Sequence, residues 1–79
     1  MRVQDRVREF IKQNFLIDEV GDEQSFLGDG VIDSLGIMQV VAFVEAELGS
    51  KVPDTDLVPD NFDSIARVAA YVERMRRAA

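Results

Sequence analysis

The sequence contains no cysteine, no histidine and no tryptophan. Without cysteine there is no disulfide, and without a Cys/His cluster there is no structural zinc to supplement the core. Without histidine the usual general base near neutral pH is missing, which excludes a Ser-His-Asp or Cys-His catalytic site. No apolar run approaches the roughly 20 residues of a membrane span, and no signal-peptide pattern stands at Met1. Basic residues are few: Lys+Arg 9 face Asp+Glu 15, a formal net charge of −6 that would repel nucleic-acid phosphates. What is present, 47% hydrophobic and 30% charged residues in 79, is the composition of one globular domain over 1–79. A chain this short buries only about 60% of its unfolded surface, so its stability is expected to be modest. These features predict a small acidic cytoplasmic protein, monomeric and without catalysis of its own.

The charge is unevenly placed. Residues 1–16 sum to +2 and residues 66–79 to +3, whereas residues 17–65 hold twelve acids and only Lys51, a sum of −11. A segment that acidic projects a negative field and steers basic partners toward it; the simpler reading is a solvated face that keeps the protein soluble. The loop acids Asp18, Glu19, Asp22 and Glu23 do not match the alternating spacing of an EF-hand and would bind a divalent ion only weakly. No dedicated metal site is expected.

Hydrophobic periodicity predicts helices and no strands. Val3, Val7, Phe10, Ile11 and Phe15 recur at helical spacing over 2–16. Residues 17–33 break the period with Gly21, Gly28, Gly30 and five acids before Val31, and predict a long ordered loop pinned by Phe26, Leu27, Val31 and Ile32. A loop this long in so small a domain is usually functional. A second helix is expected over 34–48, capped by Asp33 or Ser34 and stopped by Gly49. Its stripe of Ile37, Val40, Val41, Val44 and Leu48 faces the core. Leu35, Met38 and Ala42, beside Gln39 and Glu45, form a second apolar strip, so that the helix is either wrapped on two sides or leaves this strip exposed for partners. Pro59 opens a single turn over 60–62. A last helix runs over 64–77, capped by Asp63 or Ser64, with Ile65, Val68, Ala69, Val72 and Met75 inward. Arg74, Arg76 and Arg77 complement its C-terminal dipole. The fold class is all-α, a small three-to-four-helix bundle with a long loop between the first and second helices.

Ser34 is the one position that can carry chemistry. It lies where the acidic loop meets the second helix, so its hydroxyl is open, and helix N-terminal amides stabilise an attached phosphate. With no histidine it cannot activate itself, but it can be a substrate for another enzyme's phosphoryl chemistry. The alternative is that Ser34 is merely a cap and the Leu35–Met38–Ala42 strip belongs to a non-covalent interaction module.

Residues 28–48, with Asp33-Ser34-Leu35-Gly36 at their centre, resemble the modification site and second helix of acyl carrier proteins. The resemblance extends to Phe26-Leu27, to Val52-Pro53-Asp54 and to the run Pro59, Asn61, Phe62, Ser64, Ile65. It implies an acyl-carrier-like bundle and covalent 4′-phosphopantetheine on Ser34, transferred from coenzyme A by a phosphopantetheinyl transferase, with Asp33 and Leu35 flanking. Acyl or aminoacyl groups would ride the arm as thioesters between an adenylating ligase and downstream biosynthetic enzymes. Asp29, Leu35, Met38, Gln39, Ala42 and Glu45 are the implied docking residues. The sequence departs from fatty-acid-synthesis carriers at Gly36 and Gln39, where acids are usual, and at Phe43, where a small residue is usual. Ser-Leu-Gly is closer to the Ser-Phe-Gly or Ser-Met-Gly of D-alanyl carriers. A specialised carrier is therefore expected rather than a housekeeping one for fatty-acid synthesis. Phe43 either fills the core or lines a cavity between helices, where its ring would favour short cargo.

Overall fold

The structure, a computed structural model, describes residues 2–78; Met1 and Ala79, the ends of the expected domain, lie outside the described residues. Helix α1 spans Val3–Phe15, α2 Ser34–Leu48, α3 Pro59–Phe62 and α4 Ile65–Ala78, with a 3₁₀ turn at Asp54–Asp56. No strand occurs among the described residues. Each helix forms where the apolar period predicts it, within a residue or two at the ends. The 3₁₀ turn is an addition, for which Pro53 ahead of Asp54 supplies the extended entry.

Helix α4 is central: α1, α2 and α3 all pack on it, and α1 reaches α2 through Phe10, Phe15 and Arg6. Val7 and Ile11 of α1, Val40, Val41 and Val44 of α2, and Ile65, Val68 and Val72 of α4 form one core with Phe26, Ile32, Val52 and Phe62. Being covered on several sides, α4 buries more than one stripe. That is why Tyr71, outside the predicted stripe, is only 1% exposed. Ile37 and Leu48 of the predicted α2 stripe are only half-buried, at the edge of this core.

The long loop is ordered by hydrogen bonds as much as by apolar contact. The Phe26 amide donates to the Asp63 carbonyl at 2.8 Å, and the Phe26 carbonyl accepts from Val31 at 2.9 Å and Ile32 at 3.1 Å. Asp63 also accepts from the Ser25 hydroxyl at 2.5 Å and from the Leu27 amide at 2.9 Å. So Asp63 holds the loop, and Ser64 caps α4, its Oγ accepting from Arg67 at 3.1 Å. The Asp22 carbonyl satisfies a further first-turn amide, that of Ala66, at 2.8 Å. Phe26 and Ile32 are the loop's real anchors, while Val31 is half-buried and Leu27 is 43% exposed. The expectation that Leu27 pins the loop is thus corrected: its amide is tied to Asp63 and its side chain reaches a surface cleft.

Among the described residues no three acids converge to hold a metal ion. The Asp22 carboxylate instead accepts from Gln4 at 2.5 Å and pairs with Arg8.

Tyr71 fixes the 3₁₀ turn to α4. Its hydroxyl donates to Asp56 at 2.7 Å, its ring lies 5.1 Å from that of Phe62, and Arg74 sits 5.5 Å above it. Burial first, then the hydrogen bond to Asp56 and that carboxylate's charge, raise the phenol pKa to about 12 against an opposing effect of Arg74. An unfolded tyrosine titrates near 10, so the neutral phenol stabilises the fold fully below that pH and loses its effect as pH rises toward 12. The urea midpoint is expected to fall between pH 10 and 12 by the equivalent of about 2 kcal/mol. Tyr71→Phe should flatten that slope; an unchanged slope in the variant would assign it to other groups.

Candidate functional site

The site begins with the loop that delivers Ser34. Gly28 donates its amide to Ser25 Oγ at 2.8 Å, and a Cβ there would lie 2.7 Å from the same oxygen. Gly30 turns the chain at φ 69°, in the left-handed region that favours glycine. Ile32, 3% exposed, then enters the core and leaves Asp33 extended at the mouth of α2.

Of the two candidate caps, the structure uses Asp33. Its Oδ1 accepts from the Gly36 amide at 2.8 Å, and its carbonyl accepts from Ile37 at 3.0 Å. Ser34 is the first helical residue and is exposed, so its hydroxyl is not spent on capping. With the Gly36 and Ile37 amides satisfied, those of Ser34 and Leu35 remain at the helix terminus. A hydroxyl beside open N-terminal amides fits a phosphodiester, whose charge both the amides and the helix dipole stabilise.

Gly36 explains one departure from fatty-acid-synthesis carriers. It is buried, and a Cβ on it would lie 2.8 Å from Phe15 Cε1 and closer still to Ile32. The C-terminal end of α1 therefore presses directly on the first turn of α2, and no side chain fits between them.

The implied docking residues are placed as follows. Leu35 is 79% and Met38 54% exposed, and Asp29, Gln39 and Ala42 are also exposed. Glu45 is half-buried, and its carboxylate accepts from the Val52 amide at 2.9 Å, which ties the segment after α2 back to the helix. Glu47 accepts two hydrogen bonds from Arg6, at 2.8 and 2.6 Å, and lies 3.5 Å from Arg76. That hydrogen bond, more than the charge alone, raises the Arg6 pKa above its ordinary value. Helix α2 carries no charged residue before Glu45, and both of its acids serve the fold. Around Ser34 it presents an apolar face, flanked by Asp29 and Asp33 from the loop.

Beside this face lies a cleft of about 240 Å³, lined by Leu27, Ile37, Met38, Val41, Leu57, Val58, Pro59 and Phe62. Leu57 and Val58 belong to no helical stripe, so periodicity does not single them out; two apolar residues directly before a helix-opening proline are the available signal. Phe43 does not line the cleft. Its ring stacks on Phe10 of α1 with centroids 4.5 Å apart, and Phe10 in turn meets Phe15 edge-on at 6.3 Å. Of the two readings of Phe43, the structure follows the packing one: the ring fills space against α1, on the other side of α2 from the cleft, so no cargo limit follows from it.

Comparison with known proteins follows the same lines. The chain is 29% identical over 80 residues to the D-alanyl carrier protein of Streptococcus pyogenes serotype M5 (strain Manfredo), covering 99% of this chain and 100% of that one. The D-alanyl carrier protein of serotype M1 matches with the same identity and coverage. Among solved structures, a chain of a crystal structure described as an FAD-dependent dehydrogenase aligns with a TM-score of 0.70 and 26% identity, over 84% of this chain and 97% of that one. A chain of the Bradyrhizobium japonicum glycine:[carrier protein] ligase complexed with glycylated carrier protein aligns with a TM-score of 0.64 and 27% identity, over 92% of each chain. The model of the phosphopantetheine attachment site matches residues 2–72. The chain belongs to that family: it is a carrier protein with an acyl-carrier-like bundle, to which 4′-phosphopantetheine is attached covalently.

Proposed function

We propose that this protein carries an aminoacyl group on a 4′-phosphopantetheine arm attached to Ser34. The observation that carries the site is the division of labour at the head of α2: Asp33 caps the helix and Ser34 stays exposed. In the active site of a phosphopantetheinyl transferase the Ser34 hydroxyl attacks the pantetheine-bearing phosphorus of coenzyme A; the pyrophosphate bond breaks, adenosine 3′,5′-bisphosphate leaves, the hydroxyl proton passes to a base of the transferase, and the resulting phosphodiester rests at the open amides of α2. The thiol at the end of the arm then takes the amino acid from an adenylating ligase and delivers it to a downstream enzyme, at a high local concentration set by the tether.

Two D-alanyl carriers and a glycylated carrier among the similar proteins support small amino acids as cargo. The neutral face of α2 favours partners other than those that read acids along that helix. Leu35, Met38, Gln39 and Ala42 form the contact surface, Asp29 flanks it, and Glu45 supports it from within. The chain acts as one domain over 1–79, as a cytoplasmic monomer, and is a substrate and shuttle rather than a catalyst.

The test is loading of the phosphopantetheinylated protein, read by intact mass. Incubation with ATP and either glycine or D-alanine and the corresponding carrier-protein ligase is expected to add one aminoacyl group. An acyl–carrier ligase with octanoate is expected to add little. Efficient octanoylation with neither amino acid accepted would overturn the aminoacyl reading and leave the attachment site standing.

A further inference from the structure

We propose that Leu16, at the corner between α1 and the long loop, is a second apolar contact point for the transferase that modifies Ser34. The inference rests on the carrier reading above. Leu16 ends α1 with φ 53° and ψ 44°, and it is the one non-glycine residue with positive φ among the described residues. The left-handed conformation is costly for a branched side chain and free for glycine, which is the usual residue at this place in a helix. Its side chain returns nothing to the fold in exchange, being 90% exposed, more than any other large apolar residue described. Backbone strain retained without a packing gain points to a role outside the fold.

The placement supplies that role. Phe15, the residue before Leu16, presses on Gly36, two residues after Ser34. Leu16 therefore lies at the Ser34 end of the bundle, as does Leu35, itself 79% exposed. Of all partners, the transferase has the least freedom of approach, because it must bring a phosphate of coenzyme A onto Ser34 Oγ itself. A specific interface covers about 800 Å² on each partner, equivalent to a disc about 16 Å in radius. Leu35 adjoins Ser34 in the chain, and Leu16 is linked to it through the Phe15–Gly36 contact, a path short enough for a footprint of that radius to reach the corner where α1 ends. Exposed apolar side chains that insert into pockets near the centre of an interface are where its affinity concentrates.

The test is steady-state modification by a broad-specificity phosphopantetheinyl transferase with coenzyme A and Mg²⁺, for the wild type, Leu16→Gly and Leu16→Met. Leu16→Gly relieves the strain, so its thermal midpoint is expected to hold or rise, while its KM as a protein substrate rises about tenfold with kcat within twofold. Leu16→Met keeps the apolar contact and is expected to stay within twofold of wild type in KM. A KM unchanged in Leu16→Gly would overturn the inference. So would a raised KM accompanied by a lower thermal midpoint, which would mean a structural role. If the wild type were not modified while a control carrier in the same tube was, the carrier reading itself would fall, and this inference with it.

Discussion

Ser34→Ala is expected to abolish phosphopantetheinylation completely and to leave the stability of the fold unchanged. The two halves of that expectation have separate causes. Loading should fail because the proposed nucleophile is that hydroxyl and nothing nearby replaces it: the chain has no cysteine or histidine. Ser25 donates its hydroxyl to Asp63, and Ser64 is buried as the cap of α4. Stability persists because the capping hydrogen bond belongs to Asp33 and not to Ser34. Asp33→Ala should therefore show the complementary behaviour. It keeps the nucleophile but loses the cap, at a cost of about 1 kcal/mol. That matters in a domain of this size, whose whole stability is of the order of 4–12 kcal/mol. Intact mass after incubation with coenzyme A, Mg²⁺ and a transferase reads the first property, and urea unfolding reads the second. A residual mass gain in Ser34→Ala would move the attachment site elsewhere. A loss of about 1 kcal/mol in that variant would return the capping role to Ser34.

The same junction separates what is legible in the amino-acid sequence from what only folding reveals. The period of Val7 and Ile11, of Val40, Val41 and Val44, and of Val68 and Val72 is local information, and the helices stand where it places them. Asp-Ser-Leu-Gly between a glycine-bearing loop and an apolar run likewise marks the head of α2 in one stretch of chain. The choice of cap between Asp33 and Ser34 is not legible, because both residue types cap well and only the backbone conformation decides between them. Long-range pairings are also hidden. Asp63 reads as a cap for α4, yet its carboxylate is drawn to Ser25 and Leu27, more than thirty residues away along the chain. Glu45 reads as a docking residue beside the apolar strip, yet it holds Val52, and nothing local in the sequence shows that Glu47 joins α1, α2 and α4 through Arg6 and Arg76. Phe43 is ambiguous because α2 is apolar around most of its circumference, so periodicity cannot say which neighbour its ring meets.

Gly36→Asp, which installs the acid that fatty-acid-synthesis carriers carry at this position, is expected to destabilise the protein by about 3 kcal/mol. Two effects would favour the substitution. Leaving glycine behind gains a few tenths of a kcal/mol in helix propensity, and a carboxylate in the first turn gains about 0.3–1 kcal/mol from the dipole. Both assume an exposed position, and Gly36 is buried. Any Cβ there meets Phe15 at 2.8 Å and Ile32 more closely, with Asp33 Oδ1 at 3.4 Å. The added atoms must part α1 from α2, at a cost of about 1–3 kcal/mol for the overpacking alone. The carboxylate would then sit without a cationic partner beside the capping carboxylate of Asp33, and this desolvation and repulsion adds to the loss. Gly36→Ala isolates the steric part. At an exposed helix position glycine-to-alanine stabilises by about 1 kcal/mol, whereas here it should destabilise. Urea unfolding of both variants decides the matter: a Gly36→Ala protein more stable than wild type would mean that α1 does not press on α2 at this point. If the expected order holds, wild type above Gly36→Ala above Gly36→Asp, the neutral face of α2 follows from the packing of α1 against its first turn. This carrier could not regain that acid, or partners that depend on it, by a single substitution.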